Sequence, residues 1–401
     1  MKKVILFSIF LLVGLFLSQF LPPFFGESYT TVGKVTKVLM FICLAYIMIN
    51  VGREFDLDKK KWRSYAVDYF IAMATAAVPW ILVAFYYMFL LPADLFGEWD
   101  AWKENLLLSR FAAPTSAGIL FTMLAAAGLR KAWIYKKTQI LAIFDDLDTI
   151  ILMIPLQILM IGFKWQLFAI VGIVAYFLWI GWVRLKTYRL PQSWTAILLY
   201  SICIVAVTES VYLLTKVFMN QEGAIHIEVL MPAFVLGMVM KAMHNHSRVD
   251  ENVGSLISYL FMFLVGLSTP LFVGMSQNMP VNVTSVTAAQ PMPSWGVLFF
   301  HVVMVTLLSN VGKMIPMFFY RDRDIRERLA LSIGMFTRGE VGAGIIVIAL
   351  GYNLGGPAMI ISILSLVLNL VLTGGFVIIV RKLARSVYGR EELEAVDVPA
   401  K

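Results

Sequence analysis

The stretch Leu141-Ala-Ile-Phe-Asp-Asp-Leu-Asp-Thr-Ile-Ile-Leu-Met-Ile154 places three carboxylates, Asp145, Asp146 and Asp148, inside an otherwise apolar segment. A charged side chain at the centre of a membrane-spanning helix costs about 2.5–3.5 kcal/mol on insertion scales, so three unpaired carboxylates would cost on the order of 8–10 kcal/mol. A lipid-facing helix does not carry that cost. The aspartates must therefore face a cavity, pair with cationic groups, hold protons or bind cations. Each of these options indicates an ion path through a membrane.

The composition of the chain is typical of a membrane protein. Of its 401 residues, 60% are hydrophobic and 14% are Asp, Glu, Lys or Arg, whereas soluble domains contain about 25% charged residues. The mean hydropathy is +0.81. The net charge of +8 does not indicate a nucleic-acid partner, because the cationic residues lie in short loops, where they set the orientation of the chain in the lipid bilayer.

Twelve segments are long and apolar enough to span a membrane, which takes about 20 residues of helix. They are residues 4–20, 32–51, 65–91, 105–129, 138–161, 165–184, 193–218, 226–242, 253–275, 294–319, 329–351 and 357–380. We therefore expect an all-α polytopic membrane protein with about twelve transmembrane helices.

The Lys and Arg residues are distributed unevenly between the loops. Alternate loops, counted from the N-terminus, hold 25 of the 33 Lys and Arg residues, and the remaining loops hold five. Because Lys and Arg collect in short cytoplasmic loops, this pattern predicts that both termini are cytoplasmic. Asp68, near the predicted cytoplasmic end of the third segment, is expected at the membrane interface.

The fourth segment carries the signal of a broken helix. It contains Ser109-Arg-Phe-Ala-Ala-Pro-Thr-Ser-Ala-Gly118, where Pro114 removes a helix hydrogen bond. Thr115 and Ser116 offer oxygens beside the carbonyl groups that this proline frees. Pro114 could equally mark a simple kink.

The eleventh segment carries a second such signal. It contains Met335-Phe-Thr-Arg-Gly-Glu-Val-Gly-Ala-Gly344, in which three glycines accompany the charged residues Arg338 and Glu340. These two charges also fit a structural clamp in an unwound segment. Interrupted helices at corresponding positions of two halves indicate the binding site of a transporter. We expect inverted repeats, formed by segments 3–5 and 10–12, with two crossed discontinuous helices.

The depth of the charged residues in their segments predicts an ion pair. Asp145 lies eight residues after Lys137, and Lys313 lies eight residues before Arg321. Both distances correspond to about 12 Å along a helix. This matched depth makes Lys313 a natural partner for one of the aspartates, either in transport or as a purely structural pair.

The other polar residues of the fifth segment point in different directions. Adjacent helix residues diverge by about 100°, so Asp145 and Asp146 cannot both face Lys313. We expect one of them to pair with the lysine and the other to face an aqueous cavity. Asp148 and Thr149 lie near Asp145 on the helix surface. The roles of two further charged residues stay open at this point; these are Arg110 and Glu209.

Three motifs resemble those of one family. Ala142-Ile-Phe-Asp-Asp-Leu147 resembles the double-aspartate motif of bacterial Na+/H+ antiporters in the monovalent cation:proton antiporter superfamily. Asn310-Val-Gly-Lys313 resembles the lysine helix of the same proteins, and Phe336-Thr-Arg-Gly-Glu-Val-Gly342 resembles the arginine-glycine-glutamate segment of the second branch of the superfamily. The resemblance covers nearly the whole chain. It implies a multi-pass protein of the inner membrane, and a homodimer in which a six-helix core domain lies beside a dimerisation domain.

The resemblance also implies the roles of individual residues. Asp146 binds the cation or proton, and Asp145 forms a breakable pair with Lys313, so that Asp146 and Asp145 are the expected Na+ ligands. Two carboxylates with a lysine resemble the electrogenic members. Asp148 departs from the pattern, in which a small residue is common. Supporting roles are expected for Pro114, Thr115, Ser116, Asp148, Thr149, Arg338 and Glu340.

The implied activity is exchange of Na+ or Li+ for H+ by alternating access, with no cofactor beside the transported ions. The implied domains are residues 1–64 (dimer or scaffold helices), 65–161 (first half of the core), 162–293 (linking and scaffold helices), 294–382 (second half of the core) and 383–401 (cytoplasmic tail).

Other functions fit parts of the sequence. A K+/H+ antiporter would use the same fold, but potassium-efflux relatives often carry a cytoplasmic nucleotide-binding domain. A sodium-coupled organic-anion symporter of related architecture does not need a double aspartate. An intramembrane aspartyl protease would need aspartates on separate helices and a Gly-x-Gly-Asp segment, which the sequence lacks. An enzyme is therefore not expected. A channel is the hardest alternative to exclude.

Overall fold

A computed structural model of the chain shows a helical protein. It describes residues 2–25, 29–54, 60, 62–130, 132–161, 166–218, 229–241, 248–268, 285–352 and 354–394. Fourteen α-helices lie within these ranges: α1 (Lys2–Phe25), α2 (Tyr29–Glu54), α3 (Trp62–Leu90), α4 (Trp99–Ser109), α5 (Ala117–Ala126), α6 (Trp133–Ile161), α7 (Gln166–Val183), α8 (Trp194–Phe218), α9 (Leu230–Val239), α10 (Arg248–Leu267), α11 (Trp295–Gly312), α12 (Ile325–Gly334), α13 (Glu340–Gly351) and α14 (Gly356–Glu394). The strand-like pairing seen in these ranges is one isolated bridge between Tyr188 and Met240. The predicted all-α fold class is confirmed.

The helices match the twelve predicted segments. Ten of the segments each coincide with one helix over their described residues, whereas the fourth contains α4 and α5 and the eleventh contains α12 and α13. Six helical stretches of the described chain are long and apolar enough to cross a membrane; they are Thr31–Arg53, Trp62–Leu90, Trp99–Ala126, Trp194–Thr215, Trp295–Phe318 and Gly356–Tyr388. The protein is therefore a multi-pass membrane protein, and the total of twelve crossings stays a prediction.

The chain divides into two compact units. The first comprises residues 1–25, 61–156 and 265–401. In it, α3 packs against α4 and α11, and α14 packs against α11 and α12. The sequence prediction groups α1 with α2, but α1 packs against α5 and α14 in this unit. The roles of scaffold and core that the sequence assigns stay predictions.

The second unit comprises residues 26–60 and 157–264. In it, α9 packs against α2 and α7. Gly52 on α2 and Gly237 on α9 lie where the two backbones touch, and a Cβ atom at either position would overlap the backbone of the other helix. Small residues of this kind allow close helix packing in membranes.

A similar close approach in the first unit positions the end of α11. Gly312, its last residue, lies against Pro79 of α3, and a Cβ at position 312 would come 2.6 Å from the backbone of Pro79. The glycine therefore lets α11 reach α3 at this level. The next residue, Lys313, enters the interior of the unit and is fully buried.

Candidate ion site at the two helix breaks

The first break separates α4 from α5 at the predicted proline. A short 3-10 turn, Arg110–Ala112, follows α4, and regular helix resumes only after Ser116. Pro114 has no amide hydrogen to continue the helix. The Oγ of Ser116 accepts a hydrogen bond from the amide of Ile119 at 3.3 Å, which caps the new helix. The predicted break is confirmed, and it is more than a kink.

The second break separates α12 from α13. Residues 335–339 are non-helical, and α13 begins at Glu340, whose side chain lies outside the described part of the structure. Gly339 faces the first break, since a Cβ there would come 2.7 Å from the Oγ of Ser116 and from the side chain of Ile119. A larger residue at this position would push the two broken helices apart.

The two breaks are bonded to each other. The amide of Ser116 donates to the carbonyl of Thr337 at 3.0 Å, and the hydroxyl of Thr115 donates to the carbonyl of Met335 at 3.1 Å. Unwound backbone at membrane depth must find such partners, because lipid offers none. Each break therefore satisfies polar groups that the other exposes.

A buried ion pair lies at this junction. The Nζ of Lys313 is 2.8 Å from Oδ2 of Asp145, and both side chains are fully buried. The same oxygen accepts a hydrogen bond from the amide of Thr115 at 2.7 Å, and Lys313 also donates to the hydroxyl of Thr115 at 3.0 Å. Oδ1 of Asp145 has no hydrogen-bond partner among the described residues. The structure thus brings the paired residues predicted from matched depth into contact with the first break.

The other polar residues of the stretch 145–149 of α6 are also buried. Asp146 is 2% exposed and Asp148 is 1% exposed. The side chain of Tyr69 on α3 lies close enough to Asp148 for the two groups to interact electrostatically. The hydroxyl of Thr149 donates to the carbonyl of Asp145 at 2.9 Å within the same helix. The hydroxyl of Thr149 is therefore bonded to its own helix in this conformation.

Arg110 is fully buried in the 3-10 turn of the first break. Its Nη2 donates to the main-chain carbonyl of Asp148 at 3.1 Å, and its guanidinium lies over the ring of Trp80, 4.7 Å from the centroid. Arg110 thus links the first broken helix to α6 and α3. The sequence shows that Arg110 is a charged residue within an apolar segment. It does not predict these contacts, or that of Tyr69 with Asp148, because they join residues of different helices.

Arg338, at the second break, is the third buried cation of the site, after Lys313 and Arg110. Its Nη1 donates to the carbonyl of Met335 at 3.2 Å and its Nη2 to the carbonyl of Ser309 at 3.4 Å. The first of these carbonyls follows directly after α12, where a helix C-terminus attracts positive charge. The N-termini of α5 and α13 begin on the other side of the breaks, and such ends attract negative charge. The charged side chains of the site therefore lie near helix ends of opposite partial charge.

A further buried carboxylate lies in the middle of α4. Glu104 accepts hydrogen bonds from the hydroxyls of Ser285 and Thr287, at 2.9 and 2.7 Å, and from the amides of Val286 and Thr287, at 3.0 and 2.8 Å. In the sequence, Glu104 directly precedes the predicted fourth segment, residues 105–129. In the structure it is 7% exposed, and it holds the segment before α11 against the first broken helix.

Two broken helices that meet at buried charges, in a long apolar helical chain, define a secondary transporter. The sequence model of the family described as sodium/hydrogen exchanger, transmembrane, matches residues 3–382. The chain belongs to this family, which lies in the monovalent cation:proton antiporter superfamily, and its class of activity is cation–proton antiport. Its substrates are monovalent cations and protons.

A solved structure with a similar fold is that of the sodium proton antiporter MjNhaP1 from Methanocaldococcus jannaschii. It matches with a TM-score of 0.57 and 14% sequence identity, over 96% of this chain and 92% of that chain. At this identity the likeness concerns the fold alone. No curated protein matches the chain significantly in sequence.

Proposed function

We propose that the protein exchanges Na+ or Li+ for H+ by alternating access, with Asp146 and Asp145 as the cation-binding carboxylates. The observation that carries the proposal is the pair of Asp145 and Lys313, fully buried at 2.8 Å, beside the first helix break. A lysine in this position neutralises the carboxylate while no cation is bound. Carboxylate, hydroxyl and carbonyl oxygens are the hard ligands that small cations prefer.

The proposed exchange begins with competition for Asp145. One oxygen of this carboxylate already accepts from Thr115 and Lys313, while Oδ1 makes no hydrogen bond within the described residues. A cation entering beside Asp146 would bind Oδ1 and weaken the pull of the carboxylate on the lysine. The added positive charge beside Lys313 then favours release of its proton, and Asp146 releases a second proton when the cation binds.

The return half of the cycle restores the pair. Protonation of Asp146 and Lys313 lowers the affinity for the cation, and Lys313 returns to Asp145 as the cation leaves. Two protons moving against one monovalent cation carry net charge, so we propose electrogenic exchange in which protons compete with the cation at low pH. Alternating access follows if the bonded pair of broken helices moves as one body.

The test is proton flux in proteoliposomes after successive pulses of Na+, Li+ and K+. We expect Na+ and Li+ to drive flux in the wild type, and we expect Asp146→Asn to fold and insert normally but to lose the flux. The matched variant Asp148→Asn should be milder, changing apparent affinity or selectivity, because Asp148 does not contact the Asp145–Lys313 pair in any of the hydrogen bonds that hold this pair. Exchange at wild-type rate in purified Asp146→Asn would exclude Asp146 as the exchange carboxylate.

The same assay separates the alternatives. Flux driven by K+ alone would establish K+/H+ exchange on the same site. Ion flow without coupling to protons would indicate a channel. Charge movement on solid-supported membranes tests the stoichiometry, since exchange with no current at any pH would contradict electrogenicity and leave antiport intact.

We further propose that the protein is a homodimer in the inner membrane with both termini in the cytoplasm. The uneven distribution of Lys and Arg between the loops supports the orientation. The mass of the purified protein in detergent, measured by light scattering, tests the dimer against the monomer of 45.1 kDa.

A further inference from the structure

A second buried charge cluster lies outside the candidate ion site. Asp68 on α3 accepts two hydrogen bonds from Nζ of Lys137 on α6, at 3.0 and 2.8 Å, and one from the hydroxyl of Tyr320 at 2.7 Å. The side chains of Asp68 and Lys137 are 2% and 14% exposed. Asp68 is therefore buried within the protein, and its expected position at the level of the membrane interface stays a prediction. Its cluster borders a cavity of about 380 Å³.

Tyr320 is held at this cluster from several sides. The ammonium of Lys137 lies 4.9 Å from the centroid of its ring, and the ring of Trp133 meets it edge-on at 5.6 Å. Burial and the negative charge of Asp68 raise the pKa of the Tyr320 hydroxyl, so it stays protonated and remains a donor. The φ angle of Tyr320 is +48°, a conformation that residues other than glycine adopt only where surrounding contacts enforce it.

Tyr320 is joined to the ion site by a short ordered segment. It lies seven residues after Lys313, and most of the residues between them form the 3-10 turn Ile315–Phe318. Arg328 on α12 braces this turn by donating to the carbonyl of Met317 at 3.1 Å. The segment therefore acts as a spacer between the lysine and the tyrosine.

Helix α6 and the segment from Lys313 to Tyr320 are joined at two places. On α6, Lys137 precedes Asp145 by eight residues, about 12 Å along the helix. Asp145 binds Lys313 at one end of this interval. At the other end, Lys137 meets Tyr320 through Asp68. The outer contact involves none of the proposed cation ligands.

We propose that Asp68, Lys137 and Tyr320 form a positioning cluster that fixes the place of Lys313 relative to Asp145 during exchange. The inference rests on the proposed function. When a cation binds Asp145, the contact between Asp145 and Lys313 opens. The outer contact, which joins Lys137 and Tyr320 through Asp68, persists. The outer contact keeps Lys313 close enough to return to Asp145 and displace the cation.

The most conservative test is Tyr320→Phe, which removes the hydroxyl and keeps the ring against Trp133. With Lys313 less well placed, the cation competes more easily for Asp145, so the KM for the cation should fall. The lysine also returns more slowly, so the maximal rate per folded transporter should fall too. Each change is expected to be roughly two- to tenfold, the range that loss of one hydrogen bond gives.

A matched control exists on the same helix. Tyr86 donates or accepts a hydrogen bond with Nδ1 of His301 at 2.8 Å, and it lies 18 residues beyond Asp68, about 27 Å along α3. Tyr86→Phe removes an equivalent bond and should leave both KM and rate unchanged. The exchange of charges in Asp68→Lys with Lys137→Asp should recover rate and KM relative to either single variant.

A fall of both KM and maximal rate distinguishes a positioning role from a general loss of transport activity. A lower rate at unchanged KM in Tyr320→Phe, or wild-type values of both, overturns the positioning role while exchange by the wild type upholds the proposed function. If the wild type shows no cation-dependent proton flux, the proposed function itself fails. Behaviour of Tyr86→Phe identical to that of Tyr320→Phe also overturns the inference.

Discussion

Replacing Lys313 with alanine tests the buried ion pair most directly. The ammonium is fully buried and donates to Asp145 and Thr115 at 2.8 and 3.0 Å. Removing one partner of a buried pair costs about 3–5 kcal/mol, because the other charge is left uncompensated. Asp145 would keep the hydrogen bond from the amide of Thr115, so we expect a loss near the lower end, about 3 kcal/mol. That is a large part of the total stability of a typical protein, about 5–15 kcal/mol.

The second change, Asp145→Asn, should recover part of this loss. The asparagine carries no charge, and its carbonyl oxygen can still accept from the amide of Thr115. We expect the double variant to be more stable than Lys313→Ala alone by about 1–2 kcal/mol, within the range measured for residues in direct contact. The measurement is resistance to heat-induced aggregation of the detergent-solubilised protein. Comparing the wild type, Lys313→Ala, Asp145→Asn and the double variant gives the order of their stabilities.

A surface pair provides the control. Lys103 and Asp100 lie 2.6 Å apart, but their side chains are 22% and 67% exposed. Such pairs contribute about 0–1 kcal/mol, so Lys103→Ala should hardly change the stability. If Lys313→Ala were as mild as Lys103→Ala, or if the double variant were no more stable than the single one, the ion pair would not have the energetic role that its burial indicates.

Three further predictions concern other parts of the chain. Cysteines placed in the stretches 92–103 and 277–293, which the sequence predicts to connect segments on the outer side, should react from outside the cell with an impermeant maleimide. Labelling of residues 57–61 instead would reverse the predicted orientation. Gly339→Ala should abolish transport and lower thermal stability, because its Cβ would overlap the first break; unchanged flux would mean that the breaks can separate without loss. Glu104→Gln should destabilise the protein by about 1–3 kcal/mol, since two amide donors would compete for one remaining oxygen; a melting temperature equal to that of the wild type would show that these hydrogen bonds do not stabilise the contact between α4 and the segment before α11.

The breaks and the principal pair were accessible from sequence because each has a strong local signal. Proline cannot continue a helix, so Pro114 marks the first break. Depth along two apolar segments brings Asp145 and Lys313 to the same level. Helix geometry alone predicts the first break and a pair between Lys313 and one aspartate, and the family resemblance implies that this aspartate is Asp145.

The contacts between helices could not be inferred in this way. The sequence does not identify the partners of Asp68, because one of them, Tyr320, lies 252 residues away. The burial of Glu104 could not be predicted from the sequence, because its donors, near Thr287, follow 181–183 residues later. Side-chain partners at such separations depend on how the helices pack, which hydrophobic periodicity does not determine.

The long separation of the partners at the ion site has a consequence for biogenesis. Asp145 enters the membrane 168 residues before Lys313 is synthesised, and Thr115 precedes its partner Met335 by 220 residues. The N-terminal half must therefore hold an uncompensated carboxylate and an open helix break until the C-terminal half arrives. We infer that neither half assembles stably on its own and that the nascent half is a target for membrane quality control. Two fragments divided near residue 280, between the ninth and tenth predicted segments, should accumulate to higher levels when produced together in one cell than either fragment does alone.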